Sequence, residues 1–349
     1  MKAELGIYPK DRQVLHEVLP FDTPLLVDMH ISNICNFKCN YCINSAPKEV
    51  YDKSGLKREF MSWDTFEIAL KQLQEFPDKI KQISLDGIGE PTLNKLLPDM
   101  VYALRSSGIA ETVMVITNGS KLTPELNRKL VDAGLQVLRI SLQGLTAEKY
   151  LKTSQAKINW DEFYNNIQNF SEIRDDCKLK VKIADISLEE ELGDKEKFYT
   201  LFGNICDAVA IEHIYDSFAN IGKQYDISFV NIEKNRYGHD IRNISVCWFP
   251  FTRIDIRSDG TFANCCNTLF GFEENIRNCS IMNQWNGEGM QNMRLDFLNH
   301  NTSKYLPCQK CHVPIEEYHP EDVIDGYEKE ILERMQTKTR RRINESNFI

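Results

Sequence analysis

Residues 25–42 read LLVDMHISNICNFKCNYC, an apolar run followed by three cysteines, Cys35, Cys39 and Cys42, in C-x3-C-x2-C spacing. The run at 25–32 reads as a strand, and further short runs follow at 80–87, 111–119, 135–144, 178–185 and 207–216. Amphipathic stretches separate them. Trp63, Phe66, Leu70 and Leu73 recur near the helical period behind Ser62, an expected N-cap. Leu96, Met100, Val101 and Leu104 repeat the pattern, as do Leu122, Leu126, Leu130 and Val131. Strand–helix alternation of this kind predicts an α/β fold with a parallel sheet and crossover helices. Six strands are too few for a complete eight-stranded barrel, so a partial, open (β/α)6 barrel over 25–216 is expected. The cysteine loop then lies at the carboxyl end of the first barrel strand, where α/β active sites form.

The chain has 349 residues, 42 Lys and Arg against 51 Asp and Glu, and a formal net charge of −9. Its hydrophobic content of 42 % and charged content of 27 % are those of a globular protein rather than a disordered one. The acidic balance argues against a nucleic-acid partner or an anionic membrane surface. No stretch approaches ~18 consecutive apolar residues, and the first 20 residues lack a signal-type apolar core. A cytoplasmic location is expected. The 11 cysteines therefore sit in a reducing setting, where close spacing points to metal ligation or catalysis rather than disulfides.

Three thiolates on one short loop can bind three irons of a 4Fe–4S cubane and leave the fourth iron open to a substrate. A zinc loop completed from elsewhere, or three buried apolar cysteines, is the competing reading. The loop, with Tyr41 before its third cysteine, resembles the C-x3-C-x-aromatic-C signature of the radical S-adenosylmethionine (radical SAM) superfamily. The resemblance implies that the cluster binds S-adenosylmethionine and, by one-electron cleavage, yields a 5′-deoxyadenosyl radical that abstracts hydrogen from a substrate.

The second strand ends in Asp86-Gly87-Ile88-Gly89-Glu90-Pro91. Glycines there permit close approach to the backbone, and proline ends the strand. Within the family likeness this segment is similar to the Gly-Gly-Glu-Pro motif that holds the methionine amino group, which carries that role to Gly87, Gly89 and Glu90. Thr117-Asn118-Gly119 and Ser141-Leu142-Gln143-Gly144 put polar groups at the ends of the next two strands. Thr117, Asn118, Ser141 and Gln143 resemble positions that touch the ribose or carboxylate of S-adenosylmethionine, although relatives often carry an acid where Gln143 stands. Ordinary turn and capping roles are the alternative for each.

Residues 217–246 lack a clear period and read as a connector, preceded by the barrel and by an N-terminal extension at 1–24. Cys247 precedes a hairpin whose turn is Ser258-Asp259-Gly260 and whose far end is Cys265. Its two ends meet, so these two cysteines can share a metal. Cys308 and Cys311 form a C-x2-C knuckle, which makes four thiolates in all. Zinc fits this spacing. The segment 247–320 also resembles the SPASM/twitch extensions of radical SAM enzymes, in the shorter twitch form with one fully ligated auxiliary 4Fe–4S cluster. Trp285-Asn286 and Met290 to Arg294 add to that likeness. The cofactors implied are two 4Fe–4S clusters and S-adenosylmethionine, with electron transfer as the auxiliary cluster's task or, alternatively, a stapling of the loop-rich segment.

Of the remaining cysteines, Cys177 and Cys206 read as core residues, while Cys266 and Cys279 have no evident partner. Cys266 is the candidate hydrogen donor to a substrate radical. A final helix is expected at 321–342, entered through Pro320 and ending in the basic run 338–342, with a tail to 349.

These readings imply a radical SAM oxidoreductase that dehydrogenates a small molecule, a sugar or aminocyclitol alcohol, with a flavodoxin or ferredoxin as reductant. The alternatives are a peptide-modifying maturase and, from another class, a zinc-stabilised binding protein. Peptide-modifying relatives often carry an N-terminal recognition domain larger than the 24 residues that precede the first expected strand. A molybdenum-cofactor-type cyclase is disfavoured because the chain ends Asn-Phe-Ile rather than Gly-Gly.

Overall fold

The computed structural model describes residues 2–8, 12–215, 233–265 and 274–337. The six expected strands are present as Leu26–His30 (β2), Ile80–Asp86 (β3), Ala110–Thr117 (β4), Val137–Leu142 (β5), Lys178–Ala184 (β6) and Ala208–Glu212 (β7). Three short strands join them: Glu4–Leu5 (β1), Arg253–Ile256 (β8) and Phe262–Ala263 (β9). The sheet order is β1-β7-β6-β5-β4-β3-β2-β8-β9, parallel at every pairing except the β8–β9 hairpin.

Side chains alternate along each strand, so each has an outer and an inner face. Val27 and Met29, Ile83 and Leu85, Val113 and Val115, Leu138 and Ile140, and Val181 and Ile183 are buried in one core cluster against the crossover helices. Those helices start where the sequence places caps. The Ser62 side chain accepts a hydrogen bond from the Thr65 amide at the head of Trp63–Leu73, and Thr123 does the same for Pro124–Asp132. The inner positions are polar: Asp28 and His30 on β2, Ser84 and Asp86 on β3, Arg139 on β5 and Lys180 on β6 line one internal cavity. Parallel sheets more often bury apolar side chains on both faces. A polar interior is a site in waiting.

Two expectations need correction. The first strand is Glu4–Leu5, not 25–32, because its two residues pair with β7 at the sheet edge and are too few to show a period. The last helix among the described residues is Glu328–Gln336. Pro320 opens only a 3-10 turn, because Asp322 folds back to accept from the His319 amide at 3.0 Å and pairs with Arg12 at 2.5 Å. Residues 338–342 and 217–232 lie outside the described residues.

The hairpin is present, but its first strand pairs in parallel with β2, Leu26 opposite Arg253 and Asp28 opposite Asp255. A second core packs beneath it, with Leu15, Phe21, Trp248, Phe251, Phe297, Tyr318 and Ile331 among its members. Cys177 and Cys206 are buried, as expected of core cysteines.

Candidate functional site

The cysteine loop is held by backbone on both sides. Lys38 and Asn40 amides donate to the Ser154 and Thr153 carbonyls at 2.9 Å, and Gly89 and Glu90 amides donate to Ser32 and Ile34 carbonyls at 2.9 and 2.8 Å. Phe37 is buried and meets Tyr150 edge-on. The sidedness of these bonds explains the two glycines. A Cβ on Gly87, whose φ is +134°, would stand 2.4 Å from the Ser32 oxygen, and one on Gly89 would stand 2.3 Å from that of Ile34. The close approach they permit is to the neighbouring loop's backbone.

Glu90 is 2 % exposed and accepts from the Thr92 amide (3.0 Å), the Thr92 and Thr117 hydroxyls (2.5 Å each) and the Asn118 amide (2.7 Å). It ties the end of β3 to the end of β4. Burial raises its carboxyl above the usual range, and these donors oppose the shift. Asn118 in turn reaches the loop, donating to Asn36 Oδ1 at 3.1 Å and to Cys35 Sγ at 4.0 Å.

Cys35, Cys39 and Cys42 are half-buried. Amide donors face their sulfurs: the Phe37 amide at 3.4 Å from Cys35 Sγ and Asn44 Nδ2 at 3.8 Å from Cys42 Sγ. Burial, then the negative charges of Glu90 and Cys42, pushes the Cys35 thiol up to about 12. Three sulfurs that repel one another as thiolates, two of them facing N–H donors and Cys39 facing the Tyr41 hydroxyl, suit a cationic iron–sulfur core, whose sulfurs are tuned by such bonds. The donor set fits the cluster that the loop's spacing implies.

Tyr41, Cys42, Ser141 and Gln143 come together in a cavity of ≈280 Å³, where the Tyr41 hydroxyl donates to Gln143 Oε1. The same cavity holds groups that sequence reasoning missed. Lys182 meets Glu212 at 2.7 Å, Arg236 meets Glu212 at 2.5 Å and Glu317 at 2.6 Å, and His213 meets Glu316 at 2.7 Å. Burial opposes the charge on Glu212, but Lys182 and Arg236 outweigh it and hold its carboxyl well below the usual range. Burial lowers Lys182 to about 8. The signal for Lys182 was in the sequence, since 178–182 reads Lys-Leu-Lys-Val-Lys, but Arg236 comes from the connector and nothing local marks it.

Cys247, Cys265, Cys308 and Cys311 line one cavity of ≈60 Å³ with Phe249, Asn264, Met293 and Phe297. Burial and then Cys311 push the Cys308 thiol up to about 12. Four sulfurs around a small, largely apolar space fit a fully ligated cluster. Among the described residues no three His, Cys, Asp or Glu side chains converge on a single-ion site. Cys266 lies outside the described residues, and Cys279 donates its thiol towards the Ser280 carbonyl. Among the described residues no helix is long and apolar enough to cross a membrane.

Comparison with known proteins agrees with both halves of this description. The radical SAM superfamily model matches residues 29–182, and the SPASM model, an iron–sulfur cluster-binding domain, matches 247–312. A GTP 3′,8-cyclase of Helicobacter pylori is 28 % identical over 156 residues, 44 % of this chain and 45 % of that protein. The chain thus spans about half the length of the curated relatives it matches. The solved structure of BtrN in complex with AdoMet and 2-DOIA superposes with a TM-score of 0.51 at 16 % identity, covering 84 % of this chain and 94 % of that one. Streptococcus suis SuiB bound to S-adenosylmethionine gives 0.59 at 14 % identity, covering 86 % and 73 %. At these identities the likeness is one of fold.

Proposed function

We propose that this chain, which belongs to the radical SAM superfamily and carries a C-terminal SPASM iron–sulfur domain, is an oxidoreductase that dehydrogenates a small polar molecule, a sugar or aminocyclitol alcohol. Cys35, Cys39 and Cys42 hold the cluster that binds S-adenosylmethionine, and Cys247, Cys265, Cys308 and Cys311 hold an auxiliary 4Fe–4S cluster. The bound cofactors supply a 5′-deoxyadenosyl radical and a one-electron acceptor.

The chain's own residues place these groups. Glu90 locks the ends of β3 and β4 beside the loop, through Thr117 and Asn118. Tyr41 and Gln143 fix the loop's far end against β5, beside Ser141. Gly87 and Gly89 let the two backbones touch.

The observation that carries the small-molecule reading is the barrel interior. A cavity of ≈290 Å³, lined by charged and hydroxyl side chains among apolar ones such as Leu26, Met114 and Trp248, reaches Gly87 at the carboxyl ends of the strands. That volume suits one sugar-sized molecule, and the polar groups in its wall suit hydroxyl groups.

The test is anaerobic reconstitution, expected to give about eight irons per chain, followed by reduction with flavodoxin or ferredoxin in the presence of deuterated candidate sugars. Deuterium in 5′-deoxyadenosine and a product two hydrogens lighter are the expected results. A product of unchanged mass bearing solvent deuterium would instead establish epimerisation, and failure to form 5′-deoxyadenosine under any reductant would end the enzymatic reading.

A further inference from the structure

The cations of the barrel interior divide into two kinds. Arg253 pairs with Asp28 and lies 3.3 Å from Asp255, Arg12 pairs with Asp322 at 2.5 Å, and Arg236 and Lys182 share Glu212. Each has a carboxylate. Among the described residues Arg139 and Lys180 form no salt bridge with one, although Glu4 acts on Lys180 and Arg139 on Asp86 at longer range.

These two residues are register partners on adjacent strands, β5 and β6, and both line the ≈290 Å³ cavity. Like charges directly opposite each other on neighbouring strands destabilise a sheet. Lys180 is 9 % exposed, and the hydrogen bond of its ammonium is to a neutral group, the Ile7 carbonyl at 3.1 Å. Among the described residues Arg139 makes no hydrogen bond or ion pair, and its Nε is sealed from solvent. Asp86 lines the same cavity and forms no salt bridge with either cation among the described residues; burial, then the charges of Asp28 and Asp255, pushes its carboxyl well above the usual carboxylate range. Burial and the facing Arg139 lower Lys180 to about 8, more than the opposing charge of Glu4 offsets.

We propose that Arg139 and Lys180 anchor an oxyanion of the substrate, a carboxylate or a phosphate, deep in the barrel. The inference rests on the small-molecule radical reading and narrows it: the substrate is an anionic sugar or cyclitol derivative rather than a neutral polyol. The guanidinium offers a planar pair of donors for an oxyanion and the ammonium a point charge beside it. Arg139 lies two residues before Ser141 on the same face of β5, about 6–7 Å deeper along the strand. A substrate held there by its anionic end directs its other end towards the mouth formed by Ser141, Gln143 and the cysteine loop.

The test uses the reconstituted two-cluster protein at low ionic strength, saturated with S-adenosylmethionine, and equilibrium dialysis of labelled sulfate and, separately, malonate. One anion per chain is expected. Sulfate alone identifies the phosphate-like source, and malonate alone the carboxylate. Arg139→Gln and Lys180→Met each weaken binding by roughly 10- to 100-fold, the range of a lost charge-assisted hydrogen bond, while Arg139→Lys retains part of it. Without anion, both neutral variants melt no lower than the wild type, since each removes a repulsion; a merely structural role predicts a lower melting temperature.

Absence of binding to the wild type overturns the proposal, as does undiminished binding to a folded double variant. Binding that appears only when S-adenosylmethionine is left out also overturns it, because the pair would then hold that cofactor's carboxylate. These wild-type results stand even where a variant fails to fold. Cleavage of S-adenosylmethionine by the reduced wild type is read separately, so failure of the radical reading leaves the anion result distinct.

Discussion

The two cysteine sets solve one problem, holding sulfur donors apart at fixed positions, by opposite means. Cys35, Cys39 and Cys42 fall within eight residues on one loop, and that loop is fastened by backbone hydrogen bonds to 153–154 and by those from 89–90. Cys247, Cys265, Cys308 and Cys311 come from three separate segments, brought together by the β8–β9 hairpin and by packing on the second apolar core. Held through backbone, the first loop is expected to form without its cofactor. The second is expected to depend on the cluster it would hold, since metal binding to segments far apart in sequence contributes directly to folding.

The largest expected effect follows from the first half of that contrast. Cys39→Ala should abolish formation of 5′-deoxyadenosine and remove about half the iron, four of about eight atoms. Its melting temperature should fall little, because the backbone bonds at Lys38 and Asn40 do not involve the thiol. A large drop in melting temperature, read by circular dichroism on the reconstituted protein, would break the comparison.

The second set should behave in the reverse way. The double variant Cys308→Ala/Cys311→Ala should lose the other half of the iron and melt well below the wild type, while still cleaving S-adenosylmethionine. Product oxidation should disappear. If iron content and melting temperature are both unchanged, those thiols are not ligands and the second cavity is packing alone.

How far each site could be read from sequence follows from the same difference. C-x3-C-x2-C is a local pattern, and the strand before it and the five after it show their own periods, so loop and barrel are legible together. Cys247, Cys265, Cys308 and Cys311 are legible only because two pairs have close or hairpin-linked spacing. The attachment of β8 to β2 is not, since a four-residue strand carries no sign of its partner, and the Arg253–Asp28 pair that accompanies it is 225 residues apart. The alternation of Lys178, Lys180 and Lys182 announces a polar face, but that Lys180 meets Arg139 requires the register of β5 on β6. Arg236 reaches Glu212 from a segment without periodicity, and only the folded chain shows it.

Between the two sets in expected effect is the contact of backbone on backbone. In Gly89→Ala the new Cβ would stand 2.3 Å from the Ile34 carbonyl oxygen, so the cysteine loop must move. Overpacking of this kind costs about 1–3 kcal/mol. Because the displaced atoms carry Cys35, the loss should appear in the rate of S-adenosylmethionine cleavage more than in the second cluster. Iron assigned to the auxiliary site should remain; its loss would show the two sites to be coupled.

The smallest effect tests how well the first loop is held without its cofactor. Tyr41→Phe removes one hydroxyl, whose hydrogen bond ties the loop to Gln143 on the far side of the mouth. A neutral hydrogen bond contributes about 1 kcal/mol, and an orphaned buried partner costs somewhat more. Gln143 is 4 % exposed, and its amide keeps a bond to the Ser141 carbonyl at 3.3 Å, so only its oxygen is left without that donor. The loop retains Phe37 in the core and its bonds to Thr153 and Ser154. The expected result is full iron content, a melting temperature within a few degrees of the wild type and a several-fold weaker affinity for S-adenosylmethionine, measured by equilibrium dialysis. Loss of the first cluster in this variant would mean that the loop is held from the mouth side, and that its preformed state rests on Tyr41 rather than on the backbone.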